Sequence, residues 1–199
     1  MKIVEASFEG TVHAYMLTGN GPRDIRIMKE LASKYNHNKL IKIPQTPIKE
    51  RGLQPTIKTI AYLLDKVTIN KYILVIDREH VESVETCRNT LIKHGFEIVE
   101  ETSLGEKSWY FKARRGGSEI HIYVAVSGCE RQKSIECNIA KLIKSRYGEQ
   151  VKPDKNTIKR WLKNRSLRDV DLIRKTGRKH LERAFPQHIK ILKEIAKDS

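Results

Sequence analysis

Apolar and polar residues alternate along the first segment, KIVEASFEG running into TVHAYMLTG, which predicts a β-hairpin with Gly10 near its turn. After the loop GNGP the period lengthens. DIRIMKELASKY places Ile25, Met28, Leu31, Ala32 and Tyr35 on one helical face. NKLIKIP reads as a short strand stopped by Pro44, and PQTPIKERGLQP (residues 44–55), with three prolines and a glycine, as a surface loop. TIKTIAYLLDKV is again helical, repeating at Ile57, Ile60, Ala61 and Leu64. The run YILVI fits a strand buried on both faces. VESVETCRNTLIKHG then predicts a helix with Val81, Val84, Leu91 and Ile92 inward and Gly95 as its C-terminal stop.

The middle of the chain changes style. FEIVEET, SWYFKAR and SEIHIYVAV are strand-like runs joined by GEK and RGG turns, so an antiparallel portion extends the sheet. SIECNIAKLIKSRY returns to helical spacing through Ile135, Ile139, Leu142 and Ile143, with Ser134 placed to cap it. Beyond Gly148 the pattern is helical throughout, with apolar positions at Ile158, Trp161, Leu162, Leu172, Ile173, Leu181, Ala184 and Phe185, and a last helix opened by Pro186. The fold class that follows is α/β, a mixed sheet with flanking helices over residues 1–150 and a basic helical C-terminal extension over 151–199. That extension is expected to dock on the α/β part through its apolar face.

Charge sharpens this picture. The formal net charge is +15, from 39 Lys plus Arg against 24 Asp plus Glu. From Lys141 onward there are 18 basic and 7 acidic residues, so +11 of the +15 lies in the last 59 positions. Such an excess points to DNA or RNA as partner. An acidic membrane surface, an acidic protein or a solvated basic face fits the same count. A protein partner, docking through Trp161 and its neighbours, or a homodimer stays open. No apolar run approaches the ~20 residues of a membrane span, and the N-terminus lacks a signal-peptide series, so a cytoplasmic protein is expected. Cys87, Cys129 and Cys137 are odd in number and lack C-x-x-C spacing. Neither a disulfide framework nor a zinc site is indicated, and a reducing compartment is expected.

The candidate chemistry lies in KYILVIDREHVES (residues 71–83). A buried strand ending in Asp77 and Glu79 would put two carboxylates on one side of its carboxyl end, where open α/β sheets bind ligands. Hard oxygen ligands suit Mg2+ or Mn2+. A strand that ends where solvent begins leaves the same acids merely solvated. GNGPRD would offer backbone N–H groups to a phosphate, or simply turn. Arg114 and Arg115, beside Gly116 and Gly117, would grip a phosphate backbone or form a solvated turn. His80 adjoins the acids, and Trp109 and Tyr110 are candidates for base stacking or for the core.

The order strand, Gly-containing loop, helix, strand, helix, strand ending in D-x-E resembles the Toprim domain. That domain is shared by topoisomerases, bacterial-type primases, overcoming-lysogenization-defect nucleases and small archaeal and bacterial proteins. LVIDREH looks like the family's second acidic motif with Glu79 in place of an Asp, and KSIECNIAKLI is similar to a later acidic helix start, which would bring Glu136 to the same site. The resemblance, over residues 12–147, implies Mg2+ or Mn2+ held by Asp77, Glu79 and Glu136, and metal-dependent phosphodiester cleavage or phosphotransfer. Lys141, Lys144, Lys159, Arg160 and Lys163, with Arg114 and Arg115, would hold the nucleic acid. YMLTGNGPRDIRIMKEL departs from the family, because Thr18 stands where a general acid or base Glu is expected, and a threonine does not shuttle protons near neutral pH. Glu9 or Asp24 would have to supply that carboxylate. Without one, the chain is a catalytically inactive binding module or a subunit of a larger nucleic-acid-processing complex.

Overall fold

The computed structural model describes residues 1–5, 11–35, 38–45, 50–130 and 132–197. Five parallel strands form most of one seven-stranded sheet: β1 (Lys2–Val4), β2 (Val12–Thr18), β3 (Leu40–Lys42), β4 (Lys71–Asp77) and β7 (Ser118–Ser127). Two antiparallel strands, β5 (Glu97–Gly105) and β6 (Ser108–Arg115), complete it in the order β1-β3-β2-β4-β7-β6-β5. The expected opening hairpin is not formed. β1 and β2 run in the same direction with β3 between them, because alternation marks a strand but not its partner.

The helices between strands are α1 (Pro22–Ser33), α2 (Leu53–Leu64) and α3 (Val84–Lys93), and α4 (Glu136–Tyr147) follows the last strand. They divide between the two faces. Met16, Ile73, Val75 and Tyr123 share one hydrophobic cluster with α1 and α4, whereas Leu17, Leu74, Ile76 and Val124 share the other with α2 and α3. This is the period-2 alternation of strands covered on both sides. α3 starts at a true side-chain cap, Ser83 accepting from the Thr86 N–H at 3.3 Å. Its expected inward residue Ile92 is 53% exposed, and Cys87 and Leu91 carry the contact instead. Ser134 does not cap α4, whose N-cap residue is Ile135.

The C-terminal helices are α5 (Lys155–Lys163), α6 (Asp169–Arg174), α7 (Arg178–Ala184) and α8 (Pro186–Lys197). Their apolar residues Ile158, Trp161, Leu172, Leu181, Phe185 and Ile189 join the cluster that α1 and α4 form on the sheet. The expected docking of this segment is therefore observed. Trp161 is buried in it, its indole N–H donating to Glu149 Oε2 at 2.8 Å, so it is no docking residue for a partner. Polar side chains stitch α8 to the sheet end: Gln187 Nε2 donates to Val126 O at 2.9 Å, and Ser127 Oγ meets His188 Nε2 at 3.0 Å.

No helix among the described residues is long and apolar enough to cross a membrane. The cysteines correct an expectation. Cys129 and Cys137 form a disulfide, their Cα atoms 6.0 Å apart, while Cys87 is free and buried. The segment leaving β7 folds back onto the first turn of α4, and spacing along the sequence carries no trace of that return. The argument for a reducing compartment rested on unpaired cysteines and loses that support.

Candidate functional site

β2 connects through α1 to β3 on one side, whereas β4 connects through α3 toward the strands on its other side. The carboxyl ends of β2 and β4 are therefore the point where the winding reverses, and the loops beyond them part to leave a crevice. It is lined by Asn20, Arg23, Asp24, Arg26, Arg51, Asp77, Glu79, His80, Glu136 and Lys155, with a volume of about 550 Å³. Its loops are held by backbone contact. Gly52 N–H donates to Gly19 O at 2.8 Å, and a Cβ on Gly19 would lie 3.1 Å from Gly52 O, so only glycine fits without displacement.

Asn20 spans the crevice. Its Oδ1 accepts from the Asp77 N–H at 3.0 Å and its Nδ2 donates to Asp24 Oδ1 at 3.1 Å. Asp77, the last residue of β4, pairs in register with Ser127 and is only 7% exposed. The strand-end carboxylate is thus buried rather than solvated. Burial pushes its pKa up to about 8, helped by the negative charges of Asp24, Glu79 and Glu136 and opposed by the Ile135 backbone N–H. Its Oδ1 is buried with no hydrogen-bond partner. Asp24, 4% exposed in the first turn of α1, is raised to about 6 by burial and by Glu136, against the Asn20 hydrogen bond.

Glu136 opens α4, and both its oxygens are engaged: Oε1 accepts from Arg23 Nη1 at 2.5 Å and Oε2 from Ser134 Oγ at 2.7 Å. Arg23 also donates from Nε and Nη2 to Asp169 at 2.7 and 3.1 Å, which ties α6 to the crevice. Glu79 does not share the strand geometry expected of it. β4 ends at Asp77, residues 78–80 turn with His80 N–H donating to Asp77 O at 2.9 Å, and the Glu79 side chain is 57% exposed beside His80. Alternation ceases where the strand does. Among the described residues no three His, Cys, Asp or Glu side chains are grouped closely enough to hold a metal ion.

Glu9 lies outside the described residues. Thr18 is half-buried, and its Oγ1 accepts from the Asn20 N–H at 3.1 Å. The carboxylate that faces Asp77 from the β2–α1 segment is Asp24, named in the sequence only as a substitute for the missing Glu. Its signal was its place in the first turn of a helix following a glycine loop.

The expected basic residues do not share one surface. Lys159 and Lys163 of α5 line a trough of about 990 Å³ with Arg23, Arg26, Lys155 and Arg168, continuous with the crevice through Arg23, Arg26 and Lys155. Among the described residues Arg26, Lys155, Lys159 and Lys163 are in no ion pair. Arg160 is exposed but does not line the trough. Lys141 and Lys144 are exposed on α4, outside crevice and trough. Arg114 and Arg115 sit at the other end of the sheet, where β6 turns into β7, the length of β7 or about 30 Å from Asp77. Arg115 is occupied there, its guanidinium donating to His94 O and Ala61 O and lying 5.8 Å from the Phe96 ring. Trp109 is buried in the core.

The arrangement is an α/β crevice at a winding reversal, acidic at its floor and cationic along one exit. Compared with known proteins, the chain matches no family model, no curated protein and no solved structure.

Proposed function

We propose that this chain is a Toprim-like nucleic-acid-binding protein in which a phosphodiester backbone lies along the α5 trough and reaches the acidic crevice at Asp77. The element order from β2 to α3 supports the resemblance, and the continuity of trough and crevice supports the path. The observation that carries the reading is the buried, unpartnered Asp77 Oδ1, within reach of the charges of Asp24, Glu79 and Glu136 and beside cations that have no ion pair among the described residues. An all-oxygen site with one orphaned acceptor fits Mg2+ or Mn2+, which bind through one or two carboxylates and keep several waters. Asp77 and Asp24 would hold the ion, with Glu79 and Glu136 adding negative potential. Such an ion, when bound, neutralises charge on the attacking and leaving oxygens of a phosphodiester. The residues of this chain supply the rest: Lys155, Lys159 and Lys163 hold flanking phosphates, Asn20 orients Asp77 and Asp24, and Arg23 holds Glu136.

Titration of Mn2+ by calorimetry into the parent and an Asp77→Asn variant tests the site. Binding to the parent that the variant lacks sustains it, and equal binding refutes it. A second reading, a binding module without catalysis, is favoured by two features: Glu136 is already ion-paired with Arg23, and among the described residues no three acids are grouped closely enough to hold a metal ion. Incubation of DNA and RNA with Mg2+ and Mn2+ separates the two, since the module binds without cutting.

A further inference from the structure

A second cationic cavity lies on the same end of the sheet, beyond β7. Its walls are the β5–β6 turn with Lys107 and Ser108, Gly128 at the exit of β7, Lys141 of α4, and Gln187 and Lys190 in the first turns of α8. The volume is about 260 Å³, below the range of drug-sized ligand sites and suited to a single small anionic group. Three lysines on three separate elements converge there. Lys107 is the deepest, its side chain 18% exposed and its Nζ donating to Gly128 O at 3.3 Å.

Nearby acids offset these cations only in part, Glu106 in the cavity wall and Glu130 both acting on Lys107. Glu106 stands 3.9 Å from Lys107 with its own side chain 88% exposed, and Glu194 lies 3.6 Å from Lys190. Lys141 has no ion pair among the described residues, and the charge of Arg78, whose Nη1 is buried without a hydrogen-bond partner, also reaches Lys107. Burial lowers the Lys107 pKa, the Arg78 and Lys141 charges add to this, and Glu106 and Glu130 oppose it. A dianion in the cavity would meet all three lysines at once and give Lys141 the partner it lacks among the described residues.

We propose that this cavity binds a phosphate group through Lys107, Lys141 and Lys190. The site stands apart from the Asp77 reading, since it shares no lining residue with the crevice or trough. The phosphate belongs either to a nucleic-acid backbone or to a small phosphorylated molecule.

The test is a titration of inorganic phosphate into the ¹⁵N-labelled full chain at constant ionic strength, followed by NMR. Saturable shifts are expected at the Ser108, Gly128 and Gln187 amides. A Lys141→Gln, Lys190→Gln double variant, altered only at exposed side chains, should keep its remaining spectrum and bind at least about tenfold more weakly. Filter binding of a single-stranded oligonucleotide then separates the sources. A weaker affinity with a salt slope smaller by about 1–2 identifies a backbone phosphate; unchanged affinity with lost phosphate binding identifies a small phosphorylated ligand. Absence of saturable shifts in the parent, or equal binding by the double variant, overturns the proposal.

Discussion

Replacing Asp77 by Asn should stabilise the metal-free protein, and increasingly so as the pH rises. In the unfolded chain the carboxyl loses its proton near 3.8, whereas in the fold it keeps it up to about 8. Between those values the folded state binds more protons than the unfolded one, so the stability of the parent declines as pH rises through the window. About four units at 1.36 kcal/mol each set an upper bound near 6 kcal/mol. Solvent at the crevice mouth and the shared charge of Asp24 reduce this to about 2–4 kcal/mol. Asn has nearly the same shape and does not ionise, and its amide offers a donor among carboxylates. Urea unfolding of parent and variant in chelator at pH 5 and pH 9 measures the gap between them. Because pH 5 already lies above the unfolded value, the variant should gain about 1.5–3 kcal/mol more at pH 9 than at pH 5, or roughly 3–12 °C in Tm for a chain of this size. A gap that does not widen with pH, or a variant less stable at pH 9, would refute a buried carboxylate held against its own ionisation.

Other outcomes follow from the same geometry. Nucleic-acid affinity should fall steeply with salt, with a slope near −5 in log K against log salt for about six phosphate contacts, as filter binding would register. In that assay Lys159→Glu with Lys163→Glu should abolish most binding while Arg160→Glu, outside the trough, changes little; equal losses would remove the trough from the path. Arg23→Met leaves Glu136 and Asp169 without their shared partner and should cost about 2–3 kcal/mol by denaturant unfolding. His188, fully buried and depressed to about 3 by desolvation, must stay neutral in the fold. The unfolded chain takes up that proton near 6.5, so stability present above pH 6.5 is lost as pH falls toward 3, and a His188→Leu variant should show a flatter acid profile. Replacing Cys129 and Cys137 by Ser should lower stability by about 2–3 kcal/mol, the entropy of closing so short a loop. A chain ending at Gly148 would expose the cluster shared with α5–α8 and should aggregate, which makes point substitutions the better probe.

Periodicity along the chain was enough to place most of the elements. Period-2 and period-3.6 patterns located β4, the β5–β6–β7 meander and the C-terminal helices, because each must hide an apolar face whatever its partner is. The sequence also located Asp77, since a buried run ending in charge marks the carboxyl end of a strand. The tertiary structure decided which elements meet. Local alternation is the same in a hairpin and in two strands separated by a third, so the parallel placement of β1 and β2 around β3 was not legible. Nor was the Cys129–Cys137 bond, which depends on a loop returning to α4. The structure also sorted the charges. Arg114 and Arg115 look as exposed in sequence as Lys159 does, but the direction of β7 carries them to the far end of the sheet. Asp24 enters the crevice because α1 starts beside β4. Whether a charged residue serves a site is decided by which chain end the sheet presents there, and that is a property of long-range packing rather than of neighbours along the chain.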